Sequence, residues 1–570
     1  MQKICQNCEK EFTLQPEDFS FYEKMSIPAP TWCSECRLIR RMSYRNERSL
    51  YKRKCQATGH EEDMLTIFSP DKIDTVYCHS AWWGDNWDPM DYERDYNFSH
   101  TFFEQMHELW KDVPDVGLFN LNSVHSDYCS ITEGNKNCYL VIAGDFNENT
   151  SYSSFIFNSR ECIDCYIVSK SEWGYELVDC ISCSKLLYSQ YCENCYDSFF
   201  LFNCRNCHDC FGCINLNNQQ YCIFNEQYTK EEYFEKLKEF NIGSYKKIKN
   251  IYEEFKKFNL KFPRCFAKIV KSVDVSGDFI EESKKCMNCF SVFGGAENSK
   301  YLWLIYSKLK DCYDLDHSGQ SSMECCDSSI IYPGNKIFFS RFIFNCHNIE
   351  YSYNCHSSSY LFGCVGLRNK QYCIFNKQYT KEKFVELREK IIKQMYDLPY
   401  ADNKGRLYSY GEFFPTDLSP FCYNETVAQD LKPLNKIEIE NSGYKYKDEP
   451  ERNPVIQIEW NNLPDNISDV RDNIAGSIIS CEHNGLCNDK CTKAFKITSS
   501  ELIFYKKLNI PLPHLCPNCR SYNLFKQKNP LKLWHRSCMK EGCKNEFETP
   551  FSPERLEIIY CKSCYQKEVY

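Results

Sequence analysis

Residues 204–222 read CRNCHDCFGCINLNNQQYC, with cysteines at 204, 207, 210, 213 and 222, each at a position divisible by three. The same register holds all thirteen cysteines from Cys129 to Cys222. It extends beyond cysteine: of the 33 such positions between 129 and 225 none is charged, whereas the other 64 carry 16 charges. A register that excludes charge over this length must face a dry interior. Period three is neither the alternation of a half-buried strand nor the 3.6 of a helix. Cysteine pairs also recur at eighteen residues (162/180, 165/183, 192/210, 195/213 and 204/222). That spacing predicts an 18-residue coil stacking its thiols about 4.8 Å apart in a parallel β-solenoid. A roll of two nine-residue halves and a three-sided β-helix both fit. Asn or Asp often precedes the inward cysteine (Asn137, Asp164, Asp179, Asn194, Asn203, Asn206, Asp209), as residues that turn a corner would.

The three consecutive CxxC steps at 204–213 could instead hold a cluster, somewhat like bacterial ferredoxins. The register answers this, because Val168, Leu177, Leu186, Leu201 and Leu216 occupy it too, and ligands would not alternate with leucine. Buried thiols filling a narrow interior are the expectation, with thiol or metal storage as the alternative. The stretch is also duplicated. A shift of 151 lays Cys195, Cys204, Cys213 and Cys222 on Cys346, Cys355, Cys364 and Cys373, and QYCIFNEQYTKE (220–231) on QYCIFNKQYTKE (371–382). Each copy runs into a helical segment, opened by Thr229 with Glu232 in a capping box and by Thr380 without the glutamate. Both helices are expected to cover an open solenoid end.

A second duplication joins the termini. A shift of 483 places Cys8, Cys33, Cys36, Cys55 and Cys78 on Cys491, Cys516, Cys519, Cys538 and Cys561, and FYEKMSIPAP (21–30) on FYKKLNIPLP (504–513). Cys5-x2-Cys8 with Cys33-x2-Cys36, and Cys487-x3-Cys491 with Cys516-x2-Cys519, can each close a four-thiolate tetrahedral site. A second set follows in each copy: Cys538, Cys543, Cys561 and Cys564 in one, Cys55, His60 and Cys78 in the other, where Ala81 stands in the place of Cys564. Cys481 and His483 lie beside the third set and read as bystanders. These paired knuckles resemble the zinc-ribbon superfamily over residues 1–81 and 481–570, which implies zinc at three sites. At the fourth, three ligands suit a decayed structural site, or a catalytic zinc with an open position.

Between the first two sites, residues 37–54 carry Arg37, Arg40, Arg41, Arg45, Arg48, Lys52, Arg53 and Lys54 against Glu47 alone. On a helix these form a basic stripe, and the matching segment adds Arg520, Lys526, Lys528, Lys532 and Arg536 beside Tyr522, Phe525 and Trp534. Phosphate neutralisation and base stacking make RNA or a ribonucleoprotein one candidate partner, with a solvated charged face as the alternative.

The whole chain has 570 residues, 39 cysteines, 42% apolar and 26% charged residues and a net charge of −9. That is a globular composition. MQKICQNCEK lacks an apolar signal core and no run of about 18 apolar residues occurs, so a reducing cytoplasm is expected. The predicted organisation is tandem zinc ribbons over 1–81, an aromatic-rich linker with a helix over 82–125, a first solenoid half over 126–226 and a helical cap over 227–264. A second half follows over 265–377, then a cap over 378–397, a mixed linker over 398–480 and tandem ribbons over 481–570. This order resembles a cysteine-rich family of uncharacterised sequences from environmental bacteria, a likeness that brings no activity with it. No Ser/His/Asp, phosphate-loop or HExxH pattern stands out. The expected function is a non-enzymatic scaffold or adaptor that binds a protein or RNA partner, the alternative being a metal-dependent enzyme built on Cys55, His60 and Cys78.

Overall fold

The computed structural model describes residues 1–72, 75–448 and 453–569, so positions 449–452 of the expected linker lie outside the described residues. The protein is mainly β, with an eight-stranded sheet, a predominantly parallel fourteen-stranded sheet and a set of helices. In the first sheet, which ends at Gln220–Ile223 and Glu226–Gln227, parallel partners lie twelve residues apart: Arg160 with Glu172, Glu172 with Ser184, Ser184 with Tyr196, Tyr196 with His208 and His208 with Gln220. The same offset reaches back to Asn120 and Thr132. The expected 18-residue period is therefore replaced by twelve. The reason lies in the backbone. Every third residue from Asn122 to Phe224 has a left-handed φ of +45 to +66°. Twelve residues thus contain four corners separated by two extended residues, and the Asn and Asp residues singled out by sequence all sit at corners.

Hydrogen-bond accounting explains the register. A corner N–H reaches the carbonyl thirteen residues back (Asn137 to Val124, 2.9 Å), and the residue just before the corner reaches the carbonyl eleven residues on (Lys136 to Asn147, 2.8 Å). The inward residue's N–H finds a side chain twelve residues earlier instead: Cys138 to Ser126 Oγ at 3.1 Å, Leu201 to Ser189 Oγ at 2.9 Å, Asn147 to Asn135 Oδ1 at 2.9 Å, Ser358 to Cys346 Sγ at 3.3 Å. The inward side chain in turn donates to a carbonyl nine residues on, as Cys195 does to Cys204 at 3.4 Å and Asn135 to Gly144 at 2.8 Å. Cysteine, serine and asparagine share the register because each is small and can both accept and donate, which buried backbone requires. The cysteines are free thiols, and burial pushes Cys129 up to about 12 and Cys138 up to about 11, keeping them protonated donors.

This role gives a measurable expectation. Cys204 Sγ donates to the carbonyls of Phe202 and Cys213, both at 3.5 Å. Cys204→Ser keeps a donor and acceptor of similar size and should leave the urea midpoint nearly unchanged. Cys204→Ala leaves the Leu216 N–H without the sulfur that accepts it and should lower stability by about 1–3 kcal/mol. Equal losses in the two variants would show the thiol to be filler alone.

The second sheet is less regular. Its offset is eleven at Val273 and Lys284, thirteen at Trp303 and Asp316, and twelve again from Met323 and Asn335 onward. The shift from eleven to twelve falls between Val275 and Gly277. Gly277 has φ +136°, and a Cβ there would lie 1.7 Å from the Cys289 carbonyl oxygen. These changes of pairing offset explain why the 151-residue repeat is clean only near the end of each copy. There, Gln220–Ile223 and Gln371–Ile374 each receive a short antiparallel strand, Glu226–Gln227 or Lys377–Gln378. Helices Lys230–Phe240 and Lys381–Asp397 follow, with the Thr229/Glu232 box and the Thr380 cap both present, and pack on those last strands.

The terminal modules cross over. The N-terminal helix Ser34–Met42 packs on Tyr313–Ser318 and Cys326–Phe338 of the second sheet, and its C-terminal counterpart Pro517–Phe525 on Arg160–Ser169 and Glu172–Ile181 of the first. Yet Val76–Tyr77 pairs with Asp115–Val116, just before the first sheet, and Ile559–Tyr560 with Arg264–Cys265, just before the second. Arg48 also reaches Ser154 of the first sheet at 2.8 Å and Asn529 reaches Asp278 of the second at 2.9 Å, so each module touches both sheets. Among the described residues no helix is long and apolar enough to cross a membrane.

Candidate metal centres

Each terminal module repeats one local design: a short hairpin presents the first pair of ligands, and a cysteine at a helix N-cap presents the second pair. Cys33, Cys78 and Cys516 occupy N-cap positions in extended conformation ahead of helices Ser34–Met42, His79–Trp83 and Pro517–Phe525. In every set the first cysteine's sulfur accepts a backbone N–H: Cys5 from Cys33 at 3.2 Å, Cys55 from Cys78 at 3.1 Å, Cys481 from Cys516 at 3.2 Å and Cys538 from Cys561 at 3.2 Å.

Cys5, Cys8, Cys33 and Cys36 bring their sulfurs within 4.8 Å of one another, as do Cys538, Cys543, Cys561 and Cys564. Cys8 and Cys33 are 3.8 Å apart and Cys543 and Cys561 3.9 Å. A tetrahedral ion with metal–sulfur bonds of about 2.3 Å places its sulfurs about 3.8 Å apart, so these groups could hold a metal ion, and the donor set is compatible with zinc. Hydrogen bonds from Cys33 and Cys36 hold the Cys5 thiol well below its usual range, while Cys33 and Cys5 push Cys36 well above it. Four touching thiols cannot all ionise without a cation among them. Asn7 adds a side-chain donor to Cys36 at 3.2 Å, and Asn545 one to Cys561 at 3.4 Å.

The third set differs from the expectation. Cys481, Cys491, Cys516 and Cys519 form the four-sulfur group, and Cys487, expected in it, falls instead with His483, Asp489 and Cys519. The hairpins show why. Ile479 pairs with Phe495 as Lys3 pairs with Phe12, so Cys481 is the counterpart of Cys5 and the offset there is 476, seven less than 483. Seven extra residues separate Cys481 from Cys491. The clue in sequence was IISC at 478–481 standing where QKIC stands at 2–5.

Cys55, His60 and Cys78 also gather, with Cys78 Sγ 3.5 Å from His60 Nδ1 and 3.2 Å from Ser80 Oγ. Ala81 leaves this set at three ligands.

The basic stripe does not face solvent. Arg37, Arg40, Arg41 and Arg45 are buried. Arg37 pairs with Asp314 at 2.8 Å, Arg40 with Asp327 at 2.9 Å and Glu412 at 2.6 Å, Arg41 with Asp327 at 2.6 Å and with Asp316, and Arg45 with Glu47. Arg48 donates to Ser154 Oγ at 2.8 Å, while Lys52, paired with Asp63 at 2.9 Å, and Lys54 stand exposed. Arg37, Arg40, Arg41 and Arg45, expected to meet nucleic acid, are turned inward: they form the face by which the module docks, and most of their acids are supplied by the second sheet and by the 398–480 segment. The C-terminal module repeats the device, Arg520 pairing with Asp164 at 2.8 Å and Lys528 with Asp179 at 2.6 Å. Asp164, Asp179, Asp314 and Asp327 are all left-handed corners.

Between the two modules lies an open cleft of about 1440 Å³. Phe12 and Ile39 of the N-terminal module, Leu431 of the 398–480 segment, and Phe525, Lys532 and Trp534 of the C-terminal module line it.

No family model and no curated protein matches the chain. Among solved structures, a crystal structure described as a putative acetyltransferase from Desulfovibrio desulfuricans G20 is 8% identical over 51% of this chain and 75% of that one, with a TM-score of 0.09. At that TM-score the likeness carries no argument about fold or activity.

Proposed function

We propose that the protein is a zinc-stabilised, non-enzymatic scaffold that receives a polypeptide segment of a partner in the cleft between its terminal modules. In this reading the two sheets are four-cornered parallel β-solenoids of about twelve residues per coil, stiff bodies held together by ribbons that each touch both. Zinc suits the all-thiolate groups because it is tetrahedral, redox-inert and thiophilic, and a four-thiolate site is closed to substrate. The free thiols suit a reducing compartment, the cytoplasm being the simplest.

The observation that carries the reading is the cleft, whose walls offer half-buried apolar side chains from three separate segments. Acids and bases both line it, among them Glu9, Glu11, Asp430, Lys10, Lys404 and Lys432, a mixture that fits a polypeptide of mixed charge better than a phosphate backbone. RNA has lost its strongest support, since four of the arginines named for it are internal. The enzyme alternative retains only the three-ligand set at Cys55, His60 and Cys78.

A photoreactive amino acid in place of Lys532, irradiated in reducing lysate of the native host with and without nuclease, tests the proposal. A discrete, nuclease-resistant polypeptide adduct is expected, abolished by Leu431→Asp and absent when the photoreactive residue replaces Lys238 on the exposed cap helix. RNA adducts, or labelling indifferent to Leu431→Asp, would sink it.

A further inference from the structure

The seven extra residues in the C-terminal module do more than lengthen a loop. They carry His483 and Cys487, and with Asp489 and Cys519 these form a second set of four donors whose ligand atoms lie within 4.8 Å of one another. Cys519 belongs to both sets. Its sulfur is 3.5 Å from Cys516 and 3.9 Å from Cys481 on one side, and 3.7 Å from Cys487 on the other, all near the spacing of about 3.8 Å that a tetrahedral thiolate site imposes. We propose that this module binds two thiophilic divalent cations, one held by Cys481, Cys491, Cys516 and Cys519, the other by His483, Cys487, Asp489 and the same Cys519 thiolate acting as a bridge.

Three observations besides the spacing point to a ligand. The Nδ1 atom of His483 is buried with no hydrogen-bond partner, an arrangement that loses hydration for nothing unless something binds the ring. Asp489 is 4% exposed, with one oxygen held by Lys526 Nζ at 2.6 Å. A buried carboxylate fixed by a neighbouring cation in this way is how a ligating oxygen is commonly oriented. The loop is also shaped for the purpose: Asn484, Gly485 and Lys490 adopt left-handed φ values of +45, +78 and +50°, folding Cys487 back onto Cys519 while Leu486 between them is 92% exposed. An apolar residue held in solvent marks a loop positioned by its polar side chains and not by packing.

Charge favours occupancy by two ions. Five thiolates and one carboxylate around two dications leave the same net charge as one four-thiolate site, so a second ion lets Cys487 ionise and Asp489 ligate without adding net negative charge to the module. The N-terminal counterpart, Cys5, Cys8, Cys33 and Cys36, shares no cysteine with a second group among the described residues, so the bridge is a property of this loop.

The inference rests on the four-thiolate groups being metal sites, and the test separates the two. The full chain, purified anaerobically, is compared with Cys487→Ser and His483→Gln by metal analysis, and after cobalt substitution by electron paramagnetic resonance. Each variant should bind about one metal equivalent less than the parent. In the cobalt form of the parent the bridging sulfur couples the two ions antiferromagnetically, so fewer spins than bound cobalt should be counted, and Cys487→Ser should restore the match. Equal metal content in parent and variants, or spins equal to bound cobalt in the parent, would overturn the bridge while leaving the four-thiolate reading intact. Absence of metal from the Cys5 and Cys538 groups as well would overturn both.

Discussion

Removing the metal under reducing conditions should detach the terminal modules while the sheets they join stay folded. The hairpins that present the ligands are two or three residues per strand, Gln2–Ile4 with Glu11–Thr13 and Ile479–Ser480 with Ala494–Phe495, too short to persist unaided. Structural zinc in small folds supplies an apparent binding free energy of about 10–16 kcal/mol at neutral pH, well above what such hairpins can replace. The helix of each module begins at a ligand cysteine, so losing the ion unfixes the element that carries Arg37, Arg40 and Arg41, or Arg520, into the sheets. Limited proteolysis after chelation should cut first within residues 1–54 and 479–530, with the 154–223 and 326–374 segments protected. The sheets have their own backbone ladders and buried thiol registers, which no metal group includes among the described residues. Simultaneous loss of protection in modules and sheets would mean the metals hold the whole protein together, and unchanged proteolysis would mean the cysteine groups need no ion to stay closed.

How far sequence could go is clearest at the cysteines. The dry three-residue register was readable because burial excludes charge at every repetition, and the Asn and Asp corners were readable because those residues tolerate left-handed backbone. The coil length was not. Five cysteine pairs in the first half lie eighteen apart, but five also lie twelve apart (180/192, 183/195, 192/204, 195/207 and 210/222), so thiols alone could not choose. Polar columns could have done so: Asn135 bonds to Asn147, and Asn194 to Asn206 and on to Asn218, all at twelve. The metal groups were readable wherever ligands are close in sequence, and failed at Cys481, because an insertion moved the ligand without changing its hairpin. The arginine stripe misled for a different reason. Spacing places basic residues on one helix face but says nothing of what faces them, and their partners lie about 280 to 370 residues away in Asp314, Asp316, Asp327 and Glu412. A charge run with no acid nearby in sequence is ambiguous between a solvated face and a buried, long-range ion-pair network.

That network yields the second large effect. Arg41→Ala should destabilise the docking of the N-terminal module by about 3–5 kcal/mol, the usual result of stripping one partner from a buried ion pair. Arg41 is wholly enclosed and is shared between Asp316 and Asp327. Burial already pushes the Asp316 carboxyl up in spite of Arg41, whereas at Asp327 burial is outweighed by Arg40 and Arg41 and the carboxyl is held below its usual range. Without Arg41, Asp327 keeps Arg40 but Asp316 is left as an unpaired buried anion, so its pKa must climb further. A carboxyl whose folded-state pKa lies above its unfolded value binds its proton more tightly when folded, so stability rises as pH falls through that range. The deficit of Arg41→Ala should accordingly be largest at neutral pH and shrink towards pH 5, and Arg41→Met combined with Asp316→Asn should recover much of it at pH 7 by removing the stranded charge. Urea midpoints of parent, single and double variants at the two pH values measure this. Lys52→Ala, which removes only the exposed pair with Asp63, should match the parent. A pH-independent deficit, or a double variant no better than Arg41→Ala, would show that the arginine acts through packing and not through its charge. Loss of RNA binding on neutralising Arg40 and Arg41 would, for the same reason, report on docking of the module and not on a nucleic-acid surface.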